Sequence, residues 1–166
     1  MDVRIPEEIL QEFRQCMDDA VEAGEIEPTS MTVASLGLEG GISARTVLLN
    51  ALDERGFVFY TNLESRKGRQ LADKPAAALV FHWKTIVRQV LIEGRVEPVS
   101  DEQADEYFSS RDRGSQLGAW ASDQSRPLKS RAELLKRAVQ VEARHVGRSV
   151  PRPAHWSGLR VDRKST

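Results

Sequence analysis

Five β-prone runs follow one another between residues 31 and 99, and they constrain the fold of this 166-residue chain more than any other feature. They read MTVASLGL, ISARTVLLNAL, FVFYTN, AAALVFHW and VRQVLIEGRVEPV. Short turns, Glu39-Gly40-Gly41 and Asp53-Glu54-Arg55-Gly56, separate the first three runs, and turns of this length join antiparallel neighbours. Because closure of a sheet removes exposed edges, the succession predicts a closed or nearly closed barrel.

Helical patterns flank these runs on both sides. Apolar residues recur at three- and four-residue spacing over 6–23, which predicts an amphipathic helix with Gly24 as its stop. Ser65 is the expected N-cap of a short helix between the third and fourth runs. Capping boxes predict two further helices, over 100–109 and 130–145. The prolines in VPRPAHW, which follows them, predict an extended segment.

The chain is predicted to form a single domain, 1–166, because cores of this size usually stay undivided. Its expected parts are an N-terminal helix (1–24), barrel strands (30–100), helices (100–145) and an extended C-terminal segment (150–166). A net charge of −1 gives no global attraction for nucleic acid or for an anionic membrane. The sequence has no long apolar run and no secretory signal, so we expect a cytoplasmic protein that contacts no membrane.

A basic turn after the third run is the strongest local candidate for an anion site. Ser65 would cap the helix, and Arg66 and Lys67 lie in its first turn, where free N–H groups and the helix dipole favour an anion. Arg45 lies in the second run between apolar neighbours and needs a partner if it is buried. A phosphate group suits these cations, although a solvated basic turn would have the same sequence.

Polar side chains also interrupt the runs themselves. Tyr60 and Thr61 close the third run just before the basic turn, and Gln89 interrupts the fifth. Such groups can orient a heterocycle, or they can make ordinary hydrogen bonds within a barrel. The sequence has neither a Gly-rich dinucleotide turn nor a Walker loop, which disfavours a Rossmann site and a nucleotide triphosphatase. The histidines and Cys16 show no metal-ligand spacing, so no metal is expected.

Several segments resemble the pyridoxamine 5′-phosphate oxidase family, and they occur in the family's order over most of residues 30–161. They are ARTVLLN (44–50), GFVFYTNLESRKGRQL (56–71), RQVLIEGRVEPVS (88–100), YFSSRDRGSQLGAWASDQS (107–125) and PRPAHWSGLRV (151–161). The resemblance implies a mainly β fold with flanking helices (α+β), the FMN-binding split β-barrel. It also implies a homodimer with FMN at the subunit interface.

The resemblance further implies which residues hold the flavin and its phosphate, some of them from the second subunit. The matching positions are Arg45, Thr46, Val47, Leu48, Tyr60, Thr61, Ser65, Arg66, Lys67, Gln89, Gln124, Ser125 and Trp156.

For a small phosphorylated substrate, the resemblance points to Tyr107, Arg111 and Ser115 as the phosphate-binding group. Asn50 stands where the family usually has a substrate-binding lysine, and it can hydrogen-bond but supplies no charge. The chain ends at VDRKST, whereas the family continues with strands that carry an Arg-x-His pair and another flavin-contacting arginine. No residue is assigned a catalytic role.

Three functions are compatible with these features. The first is an FMN-dependent oxidase that converts pyridoxine or pyridoxamine 5′-phosphate to pyridoxal 5′-phosphate with O2 as the electron acceptor. The second is an FMN-dependent oxidase of another small molecule, such as a dihydro-aromatic intermediate of the phenazine type. The third is a protein that binds flavin or pyridoxal phosphate with little turnover.

Overall fold

The computed structural model describes residues 4–122 and 130–162, and within these ranges the chain forms five helices and seven strands. The helices are α1 (Glu7–Glu22), α2 (Arg66–Asp73), α3 (Asp101–Ser110), α4 (Arg113–Ala121) and α5 (Arg131–Arg144). The strands are β1 (Ser30–Leu36), β2 (Ile42–Leu48), β3 (Ala51–Asp53), β4 (Gly56–Asn62), β5 (Ala76–Trp83), β6 (Arg88–Pro98) and β7 (Trp156–Val161).

The strands form one sheet in the order β2-β1-β5-β6-β7-β4-β3. The pairs β1–β2, β1–β5 and β5–β6 are antiparallel, and Val33 of β1 lies opposite both Arg45 of β2 and Leu79 of β5. Strand β1 buries every second side chain, which is the period expected of a sheet with one face on a core. The predicted sequence of hairpins is therefore confirmed for this part of the chain.

The chain folds into two compact units. The first, called the sheet unit, comprises the described parts of Met1–Tyr60, Gln70–Pro98 and Leu159–Thr166. The second, called the helical unit, comprises Thr61–Arg69 and the described parts of Val99–Gly158. The boundary of a single domain over 1–166 stays a prediction.

An aromatic cluster forms the core of the sheet unit. Phe13 of α1 lies with its ring centroid 5.1 Å from that of Phe57, 5.0 Å from Phe81 and 5.6 Å from Trp83. Edge-to-face pairs of this kind add about 0.5–1.5 kcal/mol each to the burial of the rings. Helix α1 is held against the sheet by this cluster. It ends at Glu22 with Ala23 as its C-cap, and the predicted stop residue Gly24 follows with a φ of 81°, which glycine adopts readily.

In the helical unit, a buried arginine ties α3 to the segment before β7. Arg152 donates from Nε to Asp105 (2.5 Å), from Nη2 to Asp101 (2.6 Å) and from Nη1 to the carbonyl of Trp156 (2.8 Å). The two carboxylates raise the pKa of Arg152 against the opposing effect of its burial. The indole of Trp156 is thereby held beside Phe108, with ring centroids 5.0 Å apart.

The sequence predicted five strands, and two of the seven were missed. The run ISARTVLLNAL is two strands because the chain changes partner at Leu49 and Asn50. The Leu49 amide donates to Thr29 beside β1, whereas the Asn50 amide donates to Val58 of β4. Strand β7 was predicted only as part of an extended segment, because its partner β6 is distant in sequence.

Helix α4 was also missed. Asp112 caps it by accepting a hydrogen bond from the Ser115 amide at 2.9 Å. Gly114 and Gly118 lie inside the helix and lower its intrinsic propensity, which concealed it in the sequence. The predicted caps at Ser100 and Ser130 are confirmed by hydrogen bonds from the Gln103 and Glu133 amides.

The turn between β5 and β6 contains an unusual backbone conformation. Val87 has a φ of 52°, in the left-handed region that disfavours β-branched residues, and its side chain is exposed. The amide of Val87 donates to the carbonyl of Lys84. Separately, none of the helices in the described ranges has both the length and the apolar character needed to cross a membrane.

Candidate functional site

The segment before α2 arranges the first candidate anion site, within the helical unit. The Asn62 side chain accepts from the Glu64 amide (2.8 Å), which shapes the turn that leads into the helix. Ser65 is fully buried, and its Oγ accepts from the Gly68 amide at 3.2 Å, so the predicted N-cap is confirmed. Lys67 is half-buried and its Nζ donates to Thr61 Oγ1 at 2.8 Å. Arg66 is exposed.

These groups have the chemistry of a phosphate site. A cation already in contact with a buried hydroxyl, next to the capped start of a helix, provides both charge and directed donors. The contact between Lys67 and Thr61 also holds the ammonium close to the strand end rather than in bulk solvent. The two predicted residues Thr61 and Lys67 are therefore brought together by the structure.

Arg45 lies at the centre of a polar network in the sheet unit. Its Nη1 donates to the carbonyl of Val33 (3.1 Å) and to Ser35 Oγ (2.8 Å), and its Nη2 donates to Gln70 Oε1 (2.5 Å). Gln70 in turn donates from Nε2 to Ser43 Oγ at 3.0 Å. Arg45 is half-buried, and neutral acceptors are among the partners that the sequence led us to expect for it.

Arg111, at the C-terminal cap of α3 in the helical unit, is in a different situation. Its Nη1 is buried and has no hydrogen-bond acceptor among the described residues. The guanidinium carbon lies 4.8 Å from the ring centroid of Trp156 and 5.8 Å from that of Phe108. Burial lowers the pKa of Arg111, and the neighbouring Tyr107 and Asp112 oppose that shift.

Tyr107 and Ser115 lie four residues before and after this arginine in the chain, and Tyr107 is also close enough to affect its pKa. The ring of Tyr107 is stacked parallel to the indole of Trp156, with centroids 6.2 Å apart. Ser115 is half-buried in the first turn of α4. An aromatic wall, a cation and a helix start together form a site that suits an anionic, planar ligand.

The other predicted residues are placed as follows. In β2, Thr46 and Leu48 are exposed and Val47 is half-buried; Gln89 is exposed on β6 opposite His82. Asn50 is half-buried and its Oδ1 accepts from the Tyr60 amide at 3.1 Å. Gln124 and Ser125 lie outside the described residues.

Sequence reasoning missed three polar residues of the Arg45 network: Gln70, Ser35 and Ser43. One signal was available, because the alternation of β1 places Ser35 on the same face as Met31 and Val33. A serine on a core-facing position indicates a buried polar partner. Gln70 had no comparable signal, since glutamine in a short helix is usually exposed.

Comparison with known proteins identifies the family. The family model described as pyridoxamine 5′-phosphate oxidase matches residues 17–145. A pyridoxine/pyridoxamine 5′-phosphate oxidase of Myxococcus xanthus (strain DK1622) is 54% identical over 159 residues, which cover 96% of this chain and 77% of that protein. One from Thermosynechococcus vestitus is 55% identical over 155 residues, with 93% of this chain and 73% of that protein covered.

Solved structures agree. PhzG from Burkholderia lata 383, in complex with tetrahydrophenazine-1-carboxylic acid, has a TM-score of 0.88 at 28% identity and covers 95% of this chain and 77% of its own. A pyridoxamine 5′-phosphate oxidase-related, FMN binding protein from Nostoc punctiforme PCC 73102 has the same fold, with a TM-score of 0.69 at 14% identity over 91% of this chain and 80% of its own. The predicted split-barrel fold is confirmed, and the chain belongs to the pyridoxamine 5′-phosphate oxidase family of oxidoreductases.

Proposed function

We propose that this chain binds FMN and oxidises pyridoxine or pyridoxamine 5′-phosphate to pyridoxal 5′-phosphate, with O2 as the electron acceptor, in the cytoplasm. The observation that carries the proposal is the buried Nη1 of Arg111, for which the described residues supply no acceptor. Leaving such a donor unsatisfied costs about 1–3 kcal/mol or more. A phosphate oxygen would remove that cost, and relatives more than 50% identical carry the name of this activity.

The residues present fit an FMN phosphate. Lys67 supplies a positive charge and the start of α2 supplies directed N–H groups, while Arg66 adds an exposed cation. When bound, the isoalloxazine supplies the two-electron acceptor chemistry. The remaining flavin positions, including Gln124 and Ser125, are proposed from the resemblance.

The substrate phosphate is assigned to Arg111, Tyr107 and Ser115. Arg111 offers a forked pair of donors that matches phosphate oxygens, and the two hydroxyls complete the set of donors. The parallel stack of Tyr107 on Trp156 leaves the arginine beside aromatic surface, where water competes poorly for an anion. The protein's part in the reaction is to bind and orient the substrate in a site from which water is excluded.

We also propose that the chain acts as a homodimer, because one face of the sheet unit carries apolar side chains that the described residues leave exposed. The register places alanine, threonine and larger apolar side chains of four adjacent strands in rows on this face, together with Glu93 of β6. Leu91 is 62% exposed and Ile42 is 81% exposed. Two such rows are Ala44-Ala34-Ala78-Glu93 and Thr46-Thr32-Val80-Leu91.

Dimerisation is tested by Val80→Arg, which would place a charge in the middle of this face, opposite Thr32 and Leu91. We expect it to shift the protein from dimer to monomer in sedimentation velocity, because an unpaired charge is not tolerated in a buried interface. Ala143→Arg, at an exposed position of α5, is the matched control and should remain dimeric. A wild-type protein that is monomeric at micromolar concentration would contradict the proposal.

A second function is favoured by one residue. Asn50 replaces the family's substrate-binding lysine, and its side chain is engaged with the Tyr60 amide. The structural likeness to PhzG is consistent with an FMN-dependent oxidase of another small molecule of the dihydro-aromatic type. If the first function holds, Asn50→Lys should tighten phosphorylated ligands, and unchanged or weaker binding would favour the second.

The direct test combines a flavin titration with an aerobic assay. The fluorescence of FMN should be quenched on binding, and riboflavin, which lacks the phosphate, should bind more weakly. Pyridoxine 5′-phosphate should then be converted to pyridoxal 5′-phosphate, followed by its absorbance. FMN binding without conversion would remove the first function and leave the other two, whereas an absence of FMN binding would remove the first two.

The phosphate assignment has its own test. Arg66→Ala should weaken FMN binding by roughly 10- to 100-fold, as expected for a charged hydrogen bond of about 1.5–3 kcal/mol. Arg69→Ala, also exposed on α2, is the control and should bind FMN as the wild type does. Identical titrations for the two variants would contradict the assignment.

A further inference from the structure

Gln70 is one of the most deeply buried polar side chains in the sheet unit, with 2% of its surface exposed. Its amide oxygen accepts from Arg45 Nη2 (2.5 Å) and Ser35 Oγ (3.1 Å). Its amide nitrogen donates to Ser43 Oγ (3.0 Å). Both ends of the amide therefore make hydrogen bonds: the oxygen with residues of β1 and β2, and the nitrogen with a residue of β2.

These contacts fix which way the amide points. A guanidinium can only donate hydrogen bonds, so the atom of Gln70 that faces Arg45 must be the oxygen. The Ser43 hydroxyl is free to rotate and accepts from the nitrogen that remains. The orientation of Gln70 thus follows from the charge of Arg45, and the orientation of Arg45 follows from Gln70 and Ser35.

The chemical character of Gln70 is also informative. A glutamate at this position would bind Arg45 more strongly, but it would cancel the positive charge of the guanidinium. A glutamine holds the guanidinium while leaving that charge in place. Burying an amide costs free energy unless it is fully hydrogen-bonded, so an apolar residue would be the simpler choice for packing alone.

We infer that Gln70 is a positioning residue for cofactor binding: its neutral buried amide fixes the Arg45 guanidinium in its binding orientation and preserves its charge. The inference rests on the proposed function, in which Arg45 contacts the flavin. Gln70 also lies four residues after Arg66 in α2, so the same helix carries a proposed phosphate ligand and the residue that orients Arg45. Gln70 lies within the segment 56–71 that resembles the family, but the resemblance assigns it no role.

Three variants separate positioning from packing. Gln70→Met keeps the volume and removes both hydrogen-bonding ends. Gln70→Glu keeps an acceptor for Arg45 and adds a negative charge beside it. Gln15→Met is the matched control, because it makes the same exchange at an exposed glutamine of α1, whose side chain donates to Asp19 and not to the Arg45 network.

The measurements are the Kd for FMN, the visible circular dichroism of bound FMN and its two-electron midpoint potential. We expect Gln70→Met to raise the Kd about five- to twentyfold, and Gln70→Glu to make the midpoint potential more negative. Gln15→Met should match the wild type in all three. If Gln70→Met does not fold, the potential and dichroism of Gln70→Glu decide the question.

The inference is overturned if the Gln70 variants bind FMN with the Kd, dichroism and potential of Gln15→Met. That result would assign Gln70 to the stability of the sheet unit alone. A wild-type protein that does not bind FMN would instead overturn the proposed function, and with it this inference, so the two failures are told apart by the wild-type titration.

Discussion

Two arginines, one in each unit, differ in how the protein treats their donors. Arg45 in the sheet unit donates to a carbonyl, a hydroxyl and an amide, all at 3.1 Å or less. Arg111 in the helical unit lies against aromatic rings, and its buried Nη1 finds no acceptor among the described residues. The protein supplies one arginine with hydrogen-bond partners and leaves part of the other unsatisfied.

The difference separates orientation from recognition. An arginine whose donors are taken up by its neighbours is fixed in place and acts mainly through its charge and position. An arginine with a buried unsatisfied donor destabilises the free protein and gains that free energy back when an anion binds. By this criterion Arg111, more than Arg45, is expected to bind substrate directly.

The largest expected effect is that of Arg111→Met. The variant keeps an apolar stem over Trp156 and removes the donors, so the KM for pyridoxine 5′-phosphate should rise roughly 10- to 100-fold, from the loss of about 1.5–3 kcal/mol. The free energy of unfolding of the ligand-free protein should not fall, because the buried Nη1 has no acceptor among the described residues and the methionine keeps the contact with Trp156. Steady-state kinetics and urea unfolding measure the two quantities. A variant with the wild-type KM and a lower free energy of unfolding would mean that Arg111 stabilises the fold and does not bind the substrate.

Arg45→Met should behave in the opposite way towards stability. Removing the guanidinium leaves the Gln70 oxygen and the Ser35 hydroxyl in a buried site without their main donor, which costs about 1–3 kcal/mol. Urea unfolding of the ligand-free protein should show this loss. If the variant unfolds at the same urea midpoint as the wild type, the hydrogen bonds of Arg45 contribute little to the free energy of unfolding. Arg45 would then not differ from Arg111 in its effect on stability.

Much of the fold could be predicted because its signals are local. The helix over 6–23, the hairpin at Gly40 and the caps at Ser65 and Ser100 each depend on residues within a few positions of one another, and all are confirmed. Strand β7 could not be found in this way, because its pairing with β6 joins residues far apart in the chain.

The candidate site follows the same division. The contact between Thr61 and Lys67 lies within one short segment, and the sequence placed both residues in it. The link from Arg45 to Gln70 joins residues 25 positions apart, on β2 and α2, and depends on which side of that helix is buried. Similarly, the unsatisfied donor of Arg111 is a property of packing against Trp156, which no local pattern reports.

Ser115→Ala should have a smaller effect on the KM than Arg111→Met, and it tests whether the Ser115 hydroxyl contacts the substrate phosphate. A neutral hydroxyl contributes about 0.5–1.5 kcal/mol to binding, so the KM for the phosphorylated substrate should rise roughly two- to tenfold. The variant keeps the Ser115 amide that donates to Asp112 at the start of α4 but loses the hydroxyl's hydrogen bond to Asp112, so the free energy of unfolding should fall by no more than about 0.5–1.5 kcal/mol. Ser109→Ala in α3 is the control, and an equal change in KM for both would exclude a specific contact.

The smallest expected effect concerns a third arginine, Arg160, which is buried in the sheet unit and pairs with Asp53. Burial raises the pKa of Asp53, whereas hydrogen bonds from Arg160 and from the Arg55 amide lower it. The lowering is the larger effect, so the pKa of Asp53 lies below its ordinary value. The unfolded chain therefore takes up this proton at a higher pH than the folded chain. The stabilising contribution is present above about pH 4 and is lost as the pH falls through the folded pKa.

Asp53→Asn tests this sign. At neutral pH the variant should be less stable than the wild type by less than about 1 kcal/mol, because the carboxylate is partly exposed and screened. The difference should shrink as urea unfolding is repeated towards about pH 3, below the ordinary pKa of an aspartate. Glu54→Gln, at the neighbouring exposed acid, is the control. A difference that grows with acidity would mean that Asp53 is better stabilised in its protonated form.

The left-handed Val87 turn has a practical meaning for anyone who wishes to make this protein more robust. Glycine and asparagine adopt this backbone conformation at little cost, and the exposed Val87 side chain is not part of the core. The valine carries a free-energy penalty there, of the order of 1 kcal/mol. Replacing Val87 with glycine or asparagine should therefore raise the thermal stability without changing Arg45 or Arg111.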